Sequence, residues 1–339
     1  MIKRLLCRLT VLSLAACLLG GCTQIRTGVA YTVYPVGFLI SSLSSGQIEA
    51  HSVQEETTIV QRAQFKPNAE DILANSSVFF HIGTLEPYLG VYGKEIADSG
   101  AIDYDLSTLN AVYKFQRYTQ VTIDNEQTYV EEPYYKGEEF NSIDTDTLDL
   151  FLWNDPISML SMARYIKDWM IRTYPQDEET FSDNFRRLET ELINLDAQYQ
   201  LLATSLVNNN QEIRFVSMTA SFGNWQKTYG FQVYPVILSK YGVLPNEKQL
   251  QQIKLRILAD GVKYIVYEPN MTEDMRELAD VLQSELGLTR VELSNLSSLT
   301  ETEAAAGKDY LSVMYENLNV LETMKTSIPD PTTLTTTQE

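Results

Sequence analysis

Histidine and cysteine are scarce in this 339-residue sequence, which contains two of the first and three of the second. The histidines are His51 and His81, so a metal site built from three histidines is excluded. Cys7 and Cys17 lie in an N-terminal segment with the features of a signal peptide. Its removal would leave Cys22, and a mature chain could then form neither an internal disulfide nor a thiolate metal site. The scarcity also argues against the Ser-His-Asp and Cys-His sets of nucleophilic enzymes. The sequence therefore predicts a protein that is not an enzyme.

Basic residues are also few, with 26 lysines and arginines against 45 aspartates and glutamates and a formal net charge of −19. Loss of three basic residues with the signal segment would bring this charge to −22. An acidic surface disfavours nucleic acid and anionic lipid headgroups as partners. Because the acidic residues are dispersed along the chain, they are typical of the solvated faces of a soluble domain.

The first 21 residues have the pattern of a bacterial lipoprotein signal peptide. Lys3, Arg4 and Arg8 precede the apolar stretch Leu9–Leu19, and Leu19–Cys22 resembles the cleavage motif of such signals. The apolar stretch is well short of the roughly 20 residues that cross a bilayer, which disfavours a membrane-spanning helix. We expect the mature chain to begin at a lipidated Cys22, extracytoplasmic and anchored to the membrane, with residues 22–30 as its N-terminus and stalk.

Chain length and hydrophobic pattern predict an α/β protein with two lobes, each a parallel sheet flanked by helices. A mature chain of this size is longer than the chains that a single hydrophobic core usually supports. Short β-branched and aromatic runs alternate with helical patterns in both halves. The predicted strands are 29–36, 77–81, 213–219, 232–238 and 262–267, and the predicted helices between them are 37–43, 247–259 and 272–286. We expect the N-terminal lobe to span 31–175 and the C-terminal lobe 205–328.

A long amphipathic helix is predicted between these lobes, over 176–204. Its apolar residues recur at spacings of three and four: Phe181, Phe185, Leu188, Leu192, Leu195, Tyr199 and Leu202. Thr180 or Ser182 could cap its start. The stripe suits a stiff connector between lobes, and a helix packed on one lobe is the alternative.

Two segments are predicted to be irregular. Residues 100–149 are rich in tyrosine and acidic residues and contain Pro133 and Gly137 as breakers. They could form a loop that collects cations, but we favour a strand pair with a solvated loop because nothing fixes the carboxylates in a ligand geometry. The threonine-rich tail at 329–339 is predicted to be disordered.

Seven short motifs, in order along the chain, resemble those of one family of binding proteins. They are Tyr34–Gly37, Phe65–Pro67 with Asp71–Leu73 and Val78–Phe80, Gly83–Glu86 with Tyr88 and Leu89, Trp153–Pro156, Ala220–Gly223 with Tyr229 and Gly230, Tyr267–Pro269, and Asp309–Met314 with Asn317. The family is that of the solute receptors of zinc and manganese ABC importers, called cluster A-I or class III substrate-binding proteins. The resemblance implies two α/β lobes joined by one long helix, a zinc or manganese ion in the cleft, and an ABC permease and ATPase as partners.

The positions that match the family's metal ligands carry other residues here. The resemblance places three histidine ligands at Ala63, Phe151 and Met218, and an aspartate at Ser294 or its neighbour Asn295. None of these is a competent ligand for zinc or manganese, and the Met218 thioether would suit only a soft ion. Possible replacement polar contacts are His81, Glu86 and Glu268.

Two interpretations of the altered cleft remain open. It could bind an apolar or aromatic molecule with help from Trp225 and Tyr229, or it could have become part of the core, which we favour because such side chains more often fill cores. His51 is expected at the surface, and His81 in a structural or hydrogen-bonded role. The sequence therefore predicts an extracytoplasmic solute-binding lipoprotein associated with a metal importer. The alternative is a relative without a metal site that acts in surface interaction or adhesion, or binds another solute.

Overall fold

A computed structural model of the chain describes residues 26–55, 59–123 and 126–328. The predictions for the signal peptide, for lipidated Cys22 and for the tail at 329–339 fall outside the described residues. Among the described residues, no helix has both the length and the apolar character needed to cross a membrane.

The N-terminal lobe contains a four-stranded parallel sheet with strand order β2-β1-β3-β4. Apolar residues alternate between its faces: Val29 and Phe80 belong to one core cluster, and Ala30 and Phe79 to another. Both faces are thus covered, as parallel sheets require. The elements are β1 (Gly28–Tyr31), α1 (Tyr34–Ser44), β2 (Ala50–Ser52), α2 (Ala69–Asn75), β3 (Ser76–His81), α3 (Tyr88–Val91), α4 (Gly93–Ser99) and β4 (Ile102–Asp105).

The predicted strand 29–36 is wrong in its second half. β1 ends at Tyr31, and α1 already begins at Tyr34, after the extended residue Val33. Pro35 occupies the first turn of α1, where a missing backbone N–H costs nothing and the fixed φ suits the helix. The apolar run therefore continues from a buried strand into a buried helix face.

The C-terminal lobe is a second four-stranded parallel sheet, with strand order β11-β10-β8-β9. Helix 247–259 has the predicted bounds, and an Asn246–Gln249 capping box fixes its start. The elements are β7 (Gln211–Glu212), β8 (Arg214–Ser217), α7 (Gly223–Tyr229), β9 (Gln232–Pro235), α8 (Glu247–Ala259), β10 (Tyr264–Tyr267), α9 (Glu273–Leu286), β11 (Thr289–Glu292), α10 (Glu301–Ala305), α11 (Tyr310–Thr323) and β12 (Thr326–Ser327). β12 pairs antiparallel with β7.

Two helices lead from the first lobe to the second, α5 (Pro156–Thr173) and the 31-residue α6 (Glu178–Asn208). All seven residues of the predicted apolar stripe of α6 are buried. Asn184 donates to the Leu43 carbonyl in the N-terminal lobe (2.8 Å), and the Tyr199 hydroxyl donates to the Met314 carbonyl in the C-terminal lobe (2.9 Å). α6 therefore packs on both lobes. The predicted caps Thr180 and Ser182 are wrong, since both lie inside the helix.

The acidic, tyrosine-rich segment contains the favoured strand pair, an antiparallel hairpin of β5 (Arg117–Ile123) and β6 (Glu126–Glu132). The segment packs on the C-terminal sheet: the Tyr135 hydroxyl donates to the Pro235 carbonyl (2.9 Å), and the Gln232 amide donates to the Tyr118 carbonyl (3.3 Å). The Lys227 ammonium lies 4.4 to 5.6 Å from the ring centres of three tyrosines of this segment. Residues that precede α5 in sequence thus complete the second lobe.

Candidate functional site

The carboxyl ends of the central strands of both sheets face the junction between the lobes. Thr32 follows β1, Thr219 follows β8 and Glu268 follows β10. Loops at such strand ends are where parallel α/β sheets place ligand contacts. The Tyr34 N–H donates to the Ser297 carbonyl (3.2 Å), so the two sets of loops are in direct contact.

Glu268 is the centre of a buried polar network on the C-terminal side of this junction. Its Oε1 accepts from the Thr219 N–H (3.1 Å). Its Oε2 accepts from the Thr219 hydroxyl (2.7 Å), the Ser221 hydroxyl (3.1 Å) and Asn295 Nδ2 (2.5 Å). Burial raises the pKa of Glu268 above its usual value, although these hydrogen bonds oppose the increase. The carboxylate is therefore held by the protein itself, with few lone pairs left for a ligand.

Glu86 lies on the N-terminal side and has no such network. It is 1% exposed, and neither carboxylate oxygen has a hydrogen-bond partner. Burial raises its pKa to about 7, while the nearby Thr32 hydroxyl and His81 act in the opposite direction. The Thr32 hydroxyl also lacks a partner at hydrogen-bond geometry. Glu86 and Thr32 thus form a pair of buried, unsatisfied polar groups.

Neither histidine offers a free nitrogen at the junction. His81 Nδ1 lies 2.8 Å from the Gly83 carbonyl oxygen and Nε2 lies 3.0 Å from Asp103 Oδ1. Both ring nitrogens therefore face acceptor atoms of the protein. His51 is exposed on β2 and pairs with Glu49 (2.9 Å).

The four positions predicted to match family metal ligands are all buried. Three of them border the Glu268 network: Met218 precedes Thr219, Ser294 precedes Asn295, and the Phe151 ring contacts Trp153, whose indole N–H donates to the Asn295 carbonyl (2.7 Å). Ala63 packs in a separate cluster of the N-terminal lobe.

The residues at these positions do not fit a zinc or manganese ion. They provide a methyl group, a phenyl ring, a thioether and one hydroxyl, and the Ser294 hydroxyl accepts from the Leu296 N–H (3.2 Å). Within 26–55, 59–123 and 126–328, no three histidine, cysteine, aspartate or glutamate side chains are grouped so that they could hold a metal. A divalent ion stripped of water among these apolar groups would lack compensating donors.

Two polar residues near the junction were not identified from the sequence. Asp149 is buried, and its pKa is raised to about 7 because of that burial. Its Oδ1 accepts from the Phe151 N–H (3.2 Å), and its Oδ2 lies so near Gly223 that a Cβ there would approach it to 2.1 Å. The second is Arg62, which directly precedes Ala63 and whose side chain reaches into the C-terminal lobe. The sequence signal that could have identified Arg62 is its place next to Ala63, a predicted ligand position. Its hydrogen-bond partners, however, lie far away in sequence.

Comparison with known proteins identifies the family. A family model described as ZnuA, the periplasmic component A of a zinc-uptake complex, matches residues 29–324. The chain belongs to the ZnuA family. Members of this family are solute-binding components of metal uptake systems and not enzymes. The match covers both lobes and the connecting helix α6.

Curated relatives of the ZnuA family match about half of the chain. A zinc-binding protein AdcA of Streptococcus pyogenes serotype M6 is 29% identical over 173 residues, which are 51% of this chain and 32% of the relative. A zinc-binding lipoprotein AdcA of Streptococcus pneumoniae strain R6 is 29% identical over 174 residues, which are 51% of this chain and 33% of the relative. The matched segment therefore spans about a third of these relatives.

Solved structures share the fold at low sequence identity. The periplasmic zinc-binding protein TroA from Treponema pallidum has a TM-score of 0.68 and 14% identity, over 88% of this chain and 99% of TroA. The Zn(II)-bound ZnuA-like domain of Streptococcus pneumoniae AdcA has a TM-score of 0.63 and 19% identity, over 88% of this chain and 98% of the domain. The predicted fold, two α/β lobes joined by a long helix, is confirmed.

Proposed function

We propose that this protein is an extracytoplasmic solute-binding lipoprotein that works with the ABC permease and ATPase of a zinc- or manganese-type importer. The family match over residues 29–324 is the observation that carries this proposal. The lipoprotein named among the relatives supports the predicted anchor at Cys22. Firm anchoring would require more than one acyl chain on the N-terminus.

We further propose that the junction between the lobes does not capture zinc or manganese through the family positions. The observation in favour is the set of side chains there, since Ala63, Phe151, Met218 and Ser294 are buried and offer one hydroxyl among them. Glu268 is occupied by four internal hydrogen bonds. Glu86 and Asp149 are further buried carboxylates near the junction, but among the described residues no three histidine, cysteine, aspartate or glutamate side chains are grouped to supply the three or four ligands that zinc takes in proteins.

The second candidate function is that of a family member without a metal site, which binds a surface partner or a non-metal solute. A specific observation favours it: apolar residues from both lobes and from α6 form one continuous core cluster across the junction. It includes Phe151, Trp153, Phe222, Trp225, Leu296 and Tyr310. A junction filled in this way resembles a domain core rather than a hydrated metal cleft.

Metal analysis tests the proposed loss of metal capture. The soluble chain from Thr23 onward, purified without chelators, would be examined by elemental analysis and titrated with zinc and manganese in a calorimeter. We expect less than one tightly bound ion per chain and no saturable heat at the junction. One ion bound stoichiometrically and tightly would contradict the proposed loss of capture. It would show that oxygen ligands elsewhere have rebuilt a site.

Restoring the family ligands is the complementary test. If the four positions face one cleft, the variant carrying Ala63→His, Phe151→His, Met218→His and Ser294→Asp is expected to gain stoichiometric zinc binding, because three imidazoles and a carboxylate suit zinc. The matched control lacks only Ala63→His and is expected to bind zinc more weakly, because it has one ligand fewer. Circular dichroism would establish that both variants are folded. A folded fourfold variant that binds no zinc would show that these positions do not face one site.

A further inference from the structure

A short segment of the N-terminal lobe is inserted into the C-terminal lobe. Ile59 is fully buried within the C-terminal core cluster that contains Val216 and Tyr234. The next residues, Val60–Arg62, form one turn of 3-10 helix. This turn directs the Arg62 side chain toward the loop after β9 and toward the start of α9.

The Arg62 guanidinium makes five hydrogen bonds across the lobe boundary. Its Nη1 and Nη2 donate to Asp274 Oδ1 (3.0 Å) and Oδ2 (2.9 Å), in the bidentate geometry that makes arginine–carboxylate pairs strong. Nη1 also donates to the Thr272 hydroxyl (3.1 Å). Nε and Nη2 donate to the Gly242 carbonyl (3.0 and 2.7 Å). Hydrogen bonding from Arg62 lowers the pKa of Asp274 to about 2.

Gly242 gives the guanidinium room to approach. Its φ is +66°, a conformation that side chains other than glycine disfavour. A Cβ at this position would lie 2.9 Å from Arg62 Cγ and 3.2 Å from Ile59 Cδ1. The loop is therefore shaped to receive both the apolar and the charged residue of the inserted segment.

We propose that Ile59, Arg62, Gly242, Thr272 and Asp274 form a latch that holds the two lobes closed without a bound ion. An ion with ligands from both lobes would connect the lobes by coordination. Here the Arg62 guanidinium, which we call the arginine fork, connects them instead through charge-assisted hydrogen bonds between residues of the protein itself. The latch lies next to Ala63, one of the positions without a metal ligand. Closure is then a property of the resting protein, and solute entry requires the fork to release.

Hydrogen exchange measured by mass spectrometry tests the latch on the soluble chain from Thr23, without added metal. In Arg62→Ala, we expect exchange about tenfold faster at the junction loops 32–34, 239–245 and 294–298, because their opening no longer breaks the fork. Exchange of the central strand β10 should stay as in the unaltered protein. Arg62→Lys should give an intermediate rate, since lysine keeps the charge but lacks the bidentate fork.

Arg164→Ala is the matched control, because Arg164 pairs with Glu189 (3.2 Å) between α5 and α6 and not across the latch. We expect its junction loops to exchange at the unaltered rate. Asp274→Asn provides a second break of the latch if the arginine variants fold poorly. Unchanged exchange at the junction loops in both Arg62→Ala and Asp274→Asn would overturn the proposal. Equal acceleration in β10 would also overturn it, because the residues would then support the fold in general.

Discussion

Glu86→Gln is expected to raise the free energy of unfolding by up to about 3 kcal/mol at pH 8 and to leave it nearly unchanged at pH 4. The physical reason is that burial raises the pKa of Glu86 from 4.5 to about 7, and the nearby Thr32 hydroxyl and His81 offset only part of that increase. Below pH 4.5 the residue is protonated in both the folded and the unfolded chain, and it contributes no pH dependence. As pH rises from 4.5 to 7, the unfolded chain ionises at this residue while the folded chain keeps its proton, so stability falls across this window and changes little above it. Glutamine has the same shape and no charge.

Glu268→Gln is the matched control for this experiment and is expected to act in the opposite direction. Glu268 is also 1% exposed, but its oxygens accept four hydrogen bonds from Thr219, Ser221 and Asn295. A glutamine amide would turn one acceptor into a donor that faces other donors, and a buried mismatch of this kind costs about 1–3 kcal/mol. Urea unfolding of the three proteins at pH 4 and pH 8 would measure both effects. A Glu86→Gln variant less stable than the parent at pH 8 would contradict the description of Glu86 as unsatisfied.

Leu195→Ala is expected to lower the free energy of unfolding by about 2–5 kcal/mol. Leu195 is fully buried on α6, in the core cluster shared by the two lobes, so the substitution removes buried surface and leaves a cavity in the element that both lobes pack on. Equilibrium unfolding in urea, followed by circular dichroism, measures the change.

Leu201→Ala is the matched control on the same helix, because Leu201 is 61% exposed. We expect its stability to lie within about 0.5 kcal/mol of the parent, as for other surface substitutions. Equal losses in the two variants would contradict the assignment of one buried and one solvated face to α6. The pair therefore tests the connector independently of any ligand.

The fold was predictable from the sequence because its signals are local. The spacing of the apolar residues from Phe181 to Leu202 predicts the buried stripe of α6. The β-branched and aromatic run that begins at Gln232 predicts a strand, whichever strands pair with it. The predicted ends of the elements were less accurate where one apolar run continues from a strand into a helix, as at Val33 between β1 and α1. The capping prediction at Thr180 was wrong because the helix starts earlier, at Glu178, with no side-chain cap at Asp177.

The junction was only partly predictable. The motif positions predicted Ala63, Phe151, Met218 and Ser294 in one cleft; the last three are neighbours of the Glu268 network in the structure, whereas Ala63 packs in a separate cluster. What distinguishes Glu268 from Glu86 is the number of hydrogen bonds each carboxylate accepts, and no local pattern encodes that count. Arg62 shows the same limit, because its partners Gly242 and Asp274 follow it by 180 and 212 residues.

The packing of the tyrosine-rich hairpin on the C-terminal sheet affects how the protein can be divided. The backbone passes from the first lobe to the second before β5, returns before α5, and passes again along α6. A fragment beginning at residue 205 would lack Tyr134 and Tyr135, which pack with Val236 and Ile237 in the second core cluster. That fragment would expose an apolar face to solvent and be prone to self-association. The lobes are therefore not exchangeable modules, and a chimera would have to transfer the hairpin segment together with the C-terminal half.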